Sequence, residues 1–169
     1  IAPFTMNTSN RQHLWTGGWD LWRTTNQGTS WQHASNSTPG AGSVSAVASS
    51  PSDTNKVIVG MSDGYLLFNT AALSASGSTI WASTRPRTAF LSDVAFDPTN
   101  STIAYATYET FSGNSVYRSV DSGATWTAVP GTGVNVLPKV PAHAVVVDPT
   151  NPSRIYVGTD IGVYTSIDS

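Results

Sequence analysis

The sequence predicts an all-β chain, a β-propeller segment built of four-stranded antiparallel blades, about three and a half of them. Three observations carry this. Short apolar, β-branched and aromatic runs are bounded by Pro, Asn, Asp and Gly, the residues that reverse a chain. One pattern recurs. Asp148-Pro149-Thr150-Asn151-Pro152-Ser153-Arg154-Ile155-Tyr156-Val157-Gly158 matches residues 97–107 and 50–60, and more weakly 7–17. The second positions of the copies are Thr8, Pro51, Pro98 and Pro149, spaced 43, 47 and 51 residues apart. A repeat of about 40–50 residues with four short strands is the pattern of a propeller blade. The third observation is the hairpin motif S-x-D-x-G-x-T-W at residues 119–126.

The innermost strands come first in each repeat, over residues 4–6, 44–49, 91–96 and 142–147. They are apolar and short, as strands lining the centre of a propeller should be. After the Pro/Asn turn, second strands are expected over 14–16, 56–59, 103–107 and 154–157. Third strands follow over 21–24, 65–68, 116–119 and 163–166, and fourth strands over 30–34, 79–83 and 125–129. The repeats so defined run approximately 1–43, 44–87, 88–138 and 139–169 within one propeller segment, the last without its outer strand.

Between third and fourth strands lies the hairpin motif. The Asp121 carboxylate is short enough to accept hydrogen bonds from N–H groups of its own turn, and Gly123 supplies a backbone shape that side chains resist. Trp126 is expected to restart the outgoing strand and pack against its neighbours. The first repeat has Thr24-Thr25-Asn26-Gln27-Gly28-Thr29-Ser30-Trp31, with Asn for Asp. The second keeps only Gly77-Ser78-Thr79-Ile80-Trp81, and the fourth begins the motif at Ser166-Ile167-Asp168-Ser169. This motif resembles the Asp-box of BNR-repeat proteins, found in sialidases, xyloglucanase-type glycoside hydrolases, sortilin-type receptors and some assembly factors. The resemblance implies structural roles for Ser119, Asp121, Gly123, Thr125 and Trp126, for Asn26, Gly28 and Trp31, and for Ser166 and Asp168. It also implies that the box is an architectural turn away from any active site. A propeller closes with roughly 4–8 blades. The remaining blades are therefore expected from the same longer polypeptide or from a partner chain.

Composition narrows the function classes. Charged residues make up 11% of the chain, against about 25% in ordinary proteins. Lys and Arg total 8, Asp and Glu 10, and no basic run exists, so nucleic acid is not an expected partner. No apolar run approaches the roughly 20 residues of a membrane span. Cysteine is absent, so disulfides say nothing about compartment. The Ser, Thr, Asn and Gly content and the start at Ile1-Ala2-Pro3 fit a processed or excised chain from a secreted, bacterial β-protein, extracellular or at the cell surface. No G-x-S-x-G, H-E-x-x-H, phosphate loop or metal-ligand cluster is present, and neither cofactor nor metal is expected.

Glycoside hydrolysis needs two carboxylates facing one sugar, one of them kept protonated. The supply is one Glu and nine Asp. Asp121 and Asp168 belong to boxes, and Asp53, Asp97 and Asp148 to the Pro/Asn turns, which leaves Asp20, Asp63, Asp93, Asp160 and Glu109. Asp93 lies in an innermost strand and Asp160 in the loop after a second strand. Both segments resemble those carrying the catalytic aspartates of xyloglucanase-type two-propeller hydrolases, and the resemblance implies catalytic roles for Asp93 and Asp160. That family draws its carboxylates from two propellers facing a cleft, whereas these lie in adjacent repeats. The plainer readings are a strand-end hydrogen bond for Asp93 and an Asx-Gly turn for Asp160. Sialidase-type sites, by resemblance, require three arginines around a carboxylate. Here Arg23 and Arg118 occupy equivalent places before their boxes and read as structural.

Other candidates are ligand contacts. Arg85 and Arg87 flank Pro86 on a link between blades, where they bind an anion or are solvated. His13, His33 and His143 are isolated; His143, in an innermost strand, faces the central channel or is a hydrogen-bonded strand residue. Sugars stack on exposed rings. Trp31, Trp81 and Trp126 recur at the box position and, with Trp15 and Trp22, are expected in the core. Trp19 fits no repeat position and is the candidate platform, as are Tyr108 and Phe111 in the non-repeated stretch 108–114. Two functions are consistent with these residues. One is a glycoside hydrolase-like module that binds or processes polysaccharide. The other is a non-catalytic interaction or assembly module whose open blade another chain completes.

Overall fold

The computed structural model describes residues 2–36 and 41–168; Ile1, residues 37–40 and Ser169, the last position of the unfinished box, lie outside the description. The described residues form four antiparallel sheets in chain order. The first holds β1 (Phe4–Met6), β2 (Leu14–Gly17), β3 (Leu21–Thr24) and β4 (Gln32–His33). The second holds β5 (Val44–Ser49), β6 (Val57–Met61), β7 (Leu66–Asn69) and β8 (Ala82–Thr84). The third holds β9 (Phe90–Phe96), β10 (Ala104–Glu109), β11 (Val116–Ser119) and β12 (Thr127–Ala128), and the fourth β13 (Ala142–Val147), β14 (Ile155–Thr159) and β15 (Gly162–Ser166). A short 3-10 turn, Ala72–Ser74, is the one helical element described. Each strand pairs with its sequence neighbour, so every sheet is a meander. The chain is all-β, a propeller segment with three four-stranded blades and a fourth of three strands.

The core lies between the blades. Alternate residues of one strand serve opposite neighbours, as a period of two requires. Val57, Val59 and Met61 of β6 pack with Trp15, Leu21 and Ala34 of the first blade, whereas Ile58 packs with Leu91, Val94 and Phe96 of the third. Tyr105 of β10 turns the other way, towards Val145, Val147, Ile155 and Val157 of the fourth. Gly60 marks the closest approach, since a Cβ there would lie 2.0 Å from Leu91 Cδ2. At the matching position of the fourth blade, Gly158, the nearest neighbour is 3.8 Å away. Gly60→Val is therefore expected to cost about 1–3 kcal/mol of overpacking, read by chemical denaturation, while Gly158→Val changes stability by much less.

The turns fall at two ends of the blades. At one end lie the Pro/Asn turns and the boxes. Asp97 Oδ1 accepts from Thr99 N at 2.7 Å and Asn100 N at 2.9 Å; Asp148 repeats this with Thr150 and Asn151, and Asn7 with Ser9 and Asn10. In the third blade, Asp121 Oδ1 accepts from Thr125 N at 2.8 Å, Oδ2 accepts from Thr125 Oγ1 at 2.6 Å, and Ser119 Oγ accepts from Gly123 N at 2.9 Å. Burial alone would push Asp121 up, but the bonds from Thr125, Ser119 and Ala124 outweigh it and hold the carboxyl below its ordinary value. The first blade repeats the pattern with Asn26 Oδ1 accepting from Ser30 N at 2.9 Å; its amide donates to Ser30 Oγ, reversing the direction of the hydroxyl bond. Gly28 (φ 89°) and Gly123 (φ 97°) are the left-handed positions that glycine serves. Ser166 Oγ donates to Asp168 Oδ1 at 2.6 Å.

Three expectations need correction. Trp126 does not restart the outgoing strand: β12 begins at Thr127, because the box holds the amide of Thr125 and Trp126 Nε1 donates to Gly123 O at 3.0 Å. Trp31 and Trp22 are not core residues, being 38% and 41% exposed. The box of the third blade rests on the second, with the Gly123 Cβ direction 3.0 Å from Ile58 Cδ1. Among the described residues no blade precedes the first, so Trp22 and Trp31 have no such surface to cover. Trp15 and Trp81 are buried as expected.

Candidate functional site

The opposite end of the blades carries the turns between second and third strands and the links between blades. It also carries an irregularity that repeats. In β5, β9 and β13 one residue near the start is unpaired against its partner strand, namely Ser45, Ser92 and His143. A bulge bends the strand and re-aims a side chain. Ser92 Oγ donates to Ala142 O at 2.6 Å, tying the third blade to the fourth. His143 stands where the other two blades have a serine hydroxyl.

Asp93 follows the second bulge, at a position held by Ala46 and Ala144 in the neighbouring blades. Its Oδ1 accepts from Val94 N at 2.9 Å and its Oδ2 from Val145 N at 3.0 Å, so it is half-buried against β13. Burial pushes its carboxyl above the ordinary value, and the two amide bonds only partly oppose this.

Asp160 follows β14, and its Oδ1 lies 2.6 Å from His143 Nε2. On the other side of the ring, His143 Nδ1 lies 3.1 Å from Glu109 Oε1 at the end of β10. Glu109 and Asp160 are equivalent in the repeat, each two residues past the pair Thr107 and Gly158. One imidazole thus spans carboxylates of adjacent blades, and the bonds to Asp160 and then Glu109 raise its pKa above the ordinary value. The two nitrogens point in opposite directions, so the three groups do not converge on a point. Among the described residues no group of three or more His, Cys, Asp or Glu is arranged to hold a metal ion.

Asp93 and Asp160 are therefore gathered on one strand, β13, through Val145 and His143. The remaining candidates divide. Trp19 and Phe111 are 74% and 75% exposed at this same end. Tyr108 is fully buried, donating its hydroxyl to Gly64 O at 3.2 Å, so it is no ligand platform: its ring fills the space between second and third blades. Arg85 Nε and Nη2 donate to Asp63 O at 3.0 and 2.6 Å, with the guanidinium 4.9 Å from the Tyr65 ring centre. Arg87 donates to Ser112 O and to Thr110 Oγ1. Both arginines clamp loops of this end. Arg23 donates to Ala72 O at 2.8 Å and Arg118 to Tyr105 OH at 3.2 Å, in keeping with structural roles. A depression of about 380 Å³ lined by Arg118, Val120, Thr125, Thr127 and Val129 lies on the outer edge of the third blade, away from these carboxylates.

Comparison with known proteins agrees with this architecture. No family model matches the chain. A xyloglucanase of Paenibacillus sp is 26% identical over 180 aligned positions, which cover 89% of this chain and 17% of the relative. Among solved structures, an ancestral GH74 enzyme superposes with a TM-score of 0.73 at 24% identity, over 98% of this chain and 22% of that one. A GH74 enzyme of Niastella koreensis gives 0.73 at 17% identity, over 96% and 28%. YCF48 of Cyanidioschyzon merolae gives 0.70 at 16% identity, over 98% and 50%. The sequence similarity supports a glycoside hydrolase-like propeller. The chain spans about a sixth of the xyloglucanase it matches. No described helix is long and apolar enough to cross a membrane.

Glu109 and His143 as partners of Asp160 escaped the sequence reading. The signal was present in the repeat: Ser45, Ser92 and His143 align, as do Ser62, Glu109 and Asp160; the first series changes character in the fourth blade and the second in the third and fourth. What the sequence lacked was the bulge that brings the two series together.

Proposed function

We propose that the chain is the Asp-box propeller portion of a secreted, bacterial, carbohydrate-active protein that binds and hydrolyses a polysaccharide. Asp93 is the general acid and Asp160 the general base. The observation that carries this reading is the anchoring of both carboxylates on β13, Asp93 at the Val145 amide and Asp160 at the His143 ring. Those anchor points are two residues apart, about 6–7 Å along a strand. The raised pKa of Asp93 suits a group that must deliver a proton. Trp19 and Phe111, exposed at the same end, supply faces on which sugar rings stack.

The test is release of reducing ends from a panel of soluble β-linked glucans, with retention on the same polysaccharides measured in parallel. Trp19→Ala is expected to weaken retention by about 5–30-fold, the loss of one stacking contact of about 1–2 kcal/mol, without lowering the melting temperature. Turnover of none of the glucans, together with no retention, would remove the carbohydrate reading.

A second reading has its own support. Phe4 and Met6 of the first blade and Val146 and Val163 of the fourth are exposed apolar side chains on strands. They are suited to lie under further blades, from the same longer polypeptide or from a partner chain. A stable multimer that neither binds nor cleaves glycans would make assembly the function.

A further inference from the structure

We propose that His143 is a positioning residue for Asp160, working as an imidazolium shared with Glu109 across the boundary between third and fourth blades. This rests on the reading of Asp160 as general base.

Four observations lead to it. First, His143 breaks a series. The bulge position holds serine in the two preceding blades, and only in the fourth does it hold a group with a nitrogen on each side. Second, both nitrogens are used, Nε2 on Asp160 at 2.6 Å and Nδ1 on Glu109 at 3.1 Å. Carboxylate oxygens only accept hydrogen bonds, so two such bonds require N–H on both nitrogens, which is the protonated ring. Third, the elements packed on β13 leave no competitor for this role. Asp93 on β9 is spent on the Val94 and Val145 amides, and the Arg87 guanidinium on Thr110 and Ser112. Among the described residues, Glu109 and Asp160 are the charged groups that contact the ring. Fourth, the other bonds of the Asp160 loop, Asp160 N to Pro141 O at 3.3 Å, Ile161 N to Thr159 Oγ1 at 3.3 Å and Thr159 Oγ1 to Gly162 O at 2.8 Å, hold its backbone and do not touch the carboxylate. The histidine is thus what fixes the direction of the carboxylate.

As pH rises and the ring loses its proton, one of the two bonds is lost, because a neutral imidazole carries one N–H. The direction of the shift agrees: His143 is raised by the Asp160 bond first and the Glu109 bond second. The bridge is accordingly complete below the ordinary histidine value and is lost as pH rises through the raised one.

The experiment has two arms, both on the full chain. The first needs no substrate. The ring protons of His143 are titrated by NMR in the parent, Glu109→Gln and Asp160→Asn. The expected result is a midpoint above that of a free histidine in the parent, lowered by each substitution and most by Asp160→Asn. A parent midpoint at the free value, or one unmoved by Asp160→Asn, overturns the proposal even if glucans are hydrolysed. The second arm is the pH–rate profile of glucan hydrolysis in the parent, His143→Gln and His143→Ala. Loss of positioning predicts a fall of about tenfold or more in kcat with little change in KM, and disappearance of the part of the alkaline limb that follows loss of the His143 proton. His143→Gln, which keeps one donor, is expected to recover part of kcat but not the limb. An unchanged profile in both variants overturns the proposal. Absence of turnover in the parent counts against Asp160 as a base, and the NMR arm then decides the bridge alone.

Discussion

Asp93→Asn is expected to lower hydrolysis of a responsive glucan by about 10²–10⁴-fold, the range of one general acid. The folded state should survive the change. The substituted amide keeps one oxygen for either Val94 N or Val145 N, and loses one of two half-buried bonds. The linkage gives an independent check. Burial raises the folded pKa of Asp93 above its unfolded value, so the folded chain holds this proton more tightly than the unfolded one. Its contribution to stability is present below the unfolded pKa and is lost as pH rises through the folded pKa. The variant has no such titration. The melting temperature of Asp93→Asn relative to the parent should therefore improve from acid to neutral pH, while activity stays low. Activity equal to the parent would reduce Asp93 to a hydrogen-bonded residue at the start of a strand.

Trp81→Ala should produce the largest loss of stability, about 3–5 kcal/mol. In a chain of 169 residues that is a fall in melting temperature of roughly 6–20 °C. The ring is 4% exposed and lies between first and second blades. It meets Trp15 edge to face, centres 6.2 Å apart at 79°, and its Nε1 donates to Ala34 O at 2.8 Å. Truncation removes the apolar area, the edge-to-face contact and the indole N–H that donates to that carbonyl, in a place framed by strands that cannot collapse inward. Trp19→Ala is the matched control, because a ring 74% exposed has little packing to lose. A change below 1 kcal/mol in Trp81→Ala would mean that the first two blades are not held together through this cluster.

Much of the fold was legible because its determinants are local. Strand β5 starts and ends where the apolar run does, and the turn after β9 is made by Asp97 on its own neighbours' amides. The box is equally self-contained: Asp121 and Asn26 each bond within four residues, so the motif carries its geometry with it. Burial was less legible. Trp22 and Tyr117 are equivalent in the repeat, yet Tyr117 packs against the second blade and Trp22 stands 41% exposed. Tyr108 looked like part of a loop insertion and proved to be the last buried residue of β10.

The same division runs through the site. The sequence by itself determined the strand order, the turns and the short list of carboxylates not consumed by turns, because those follow from residues close together in the chain. Which of them act together was decided only by the tertiary structure. Asp93 reaches Val145 across 52 residues, and His143 reaches Glu109 across 34, through bulges that no periodic pattern announces. A bulge shifts the register of a strand by one residue and turns the side chains after it to new neighbours, and that shift is set by the packing of one blade on the next.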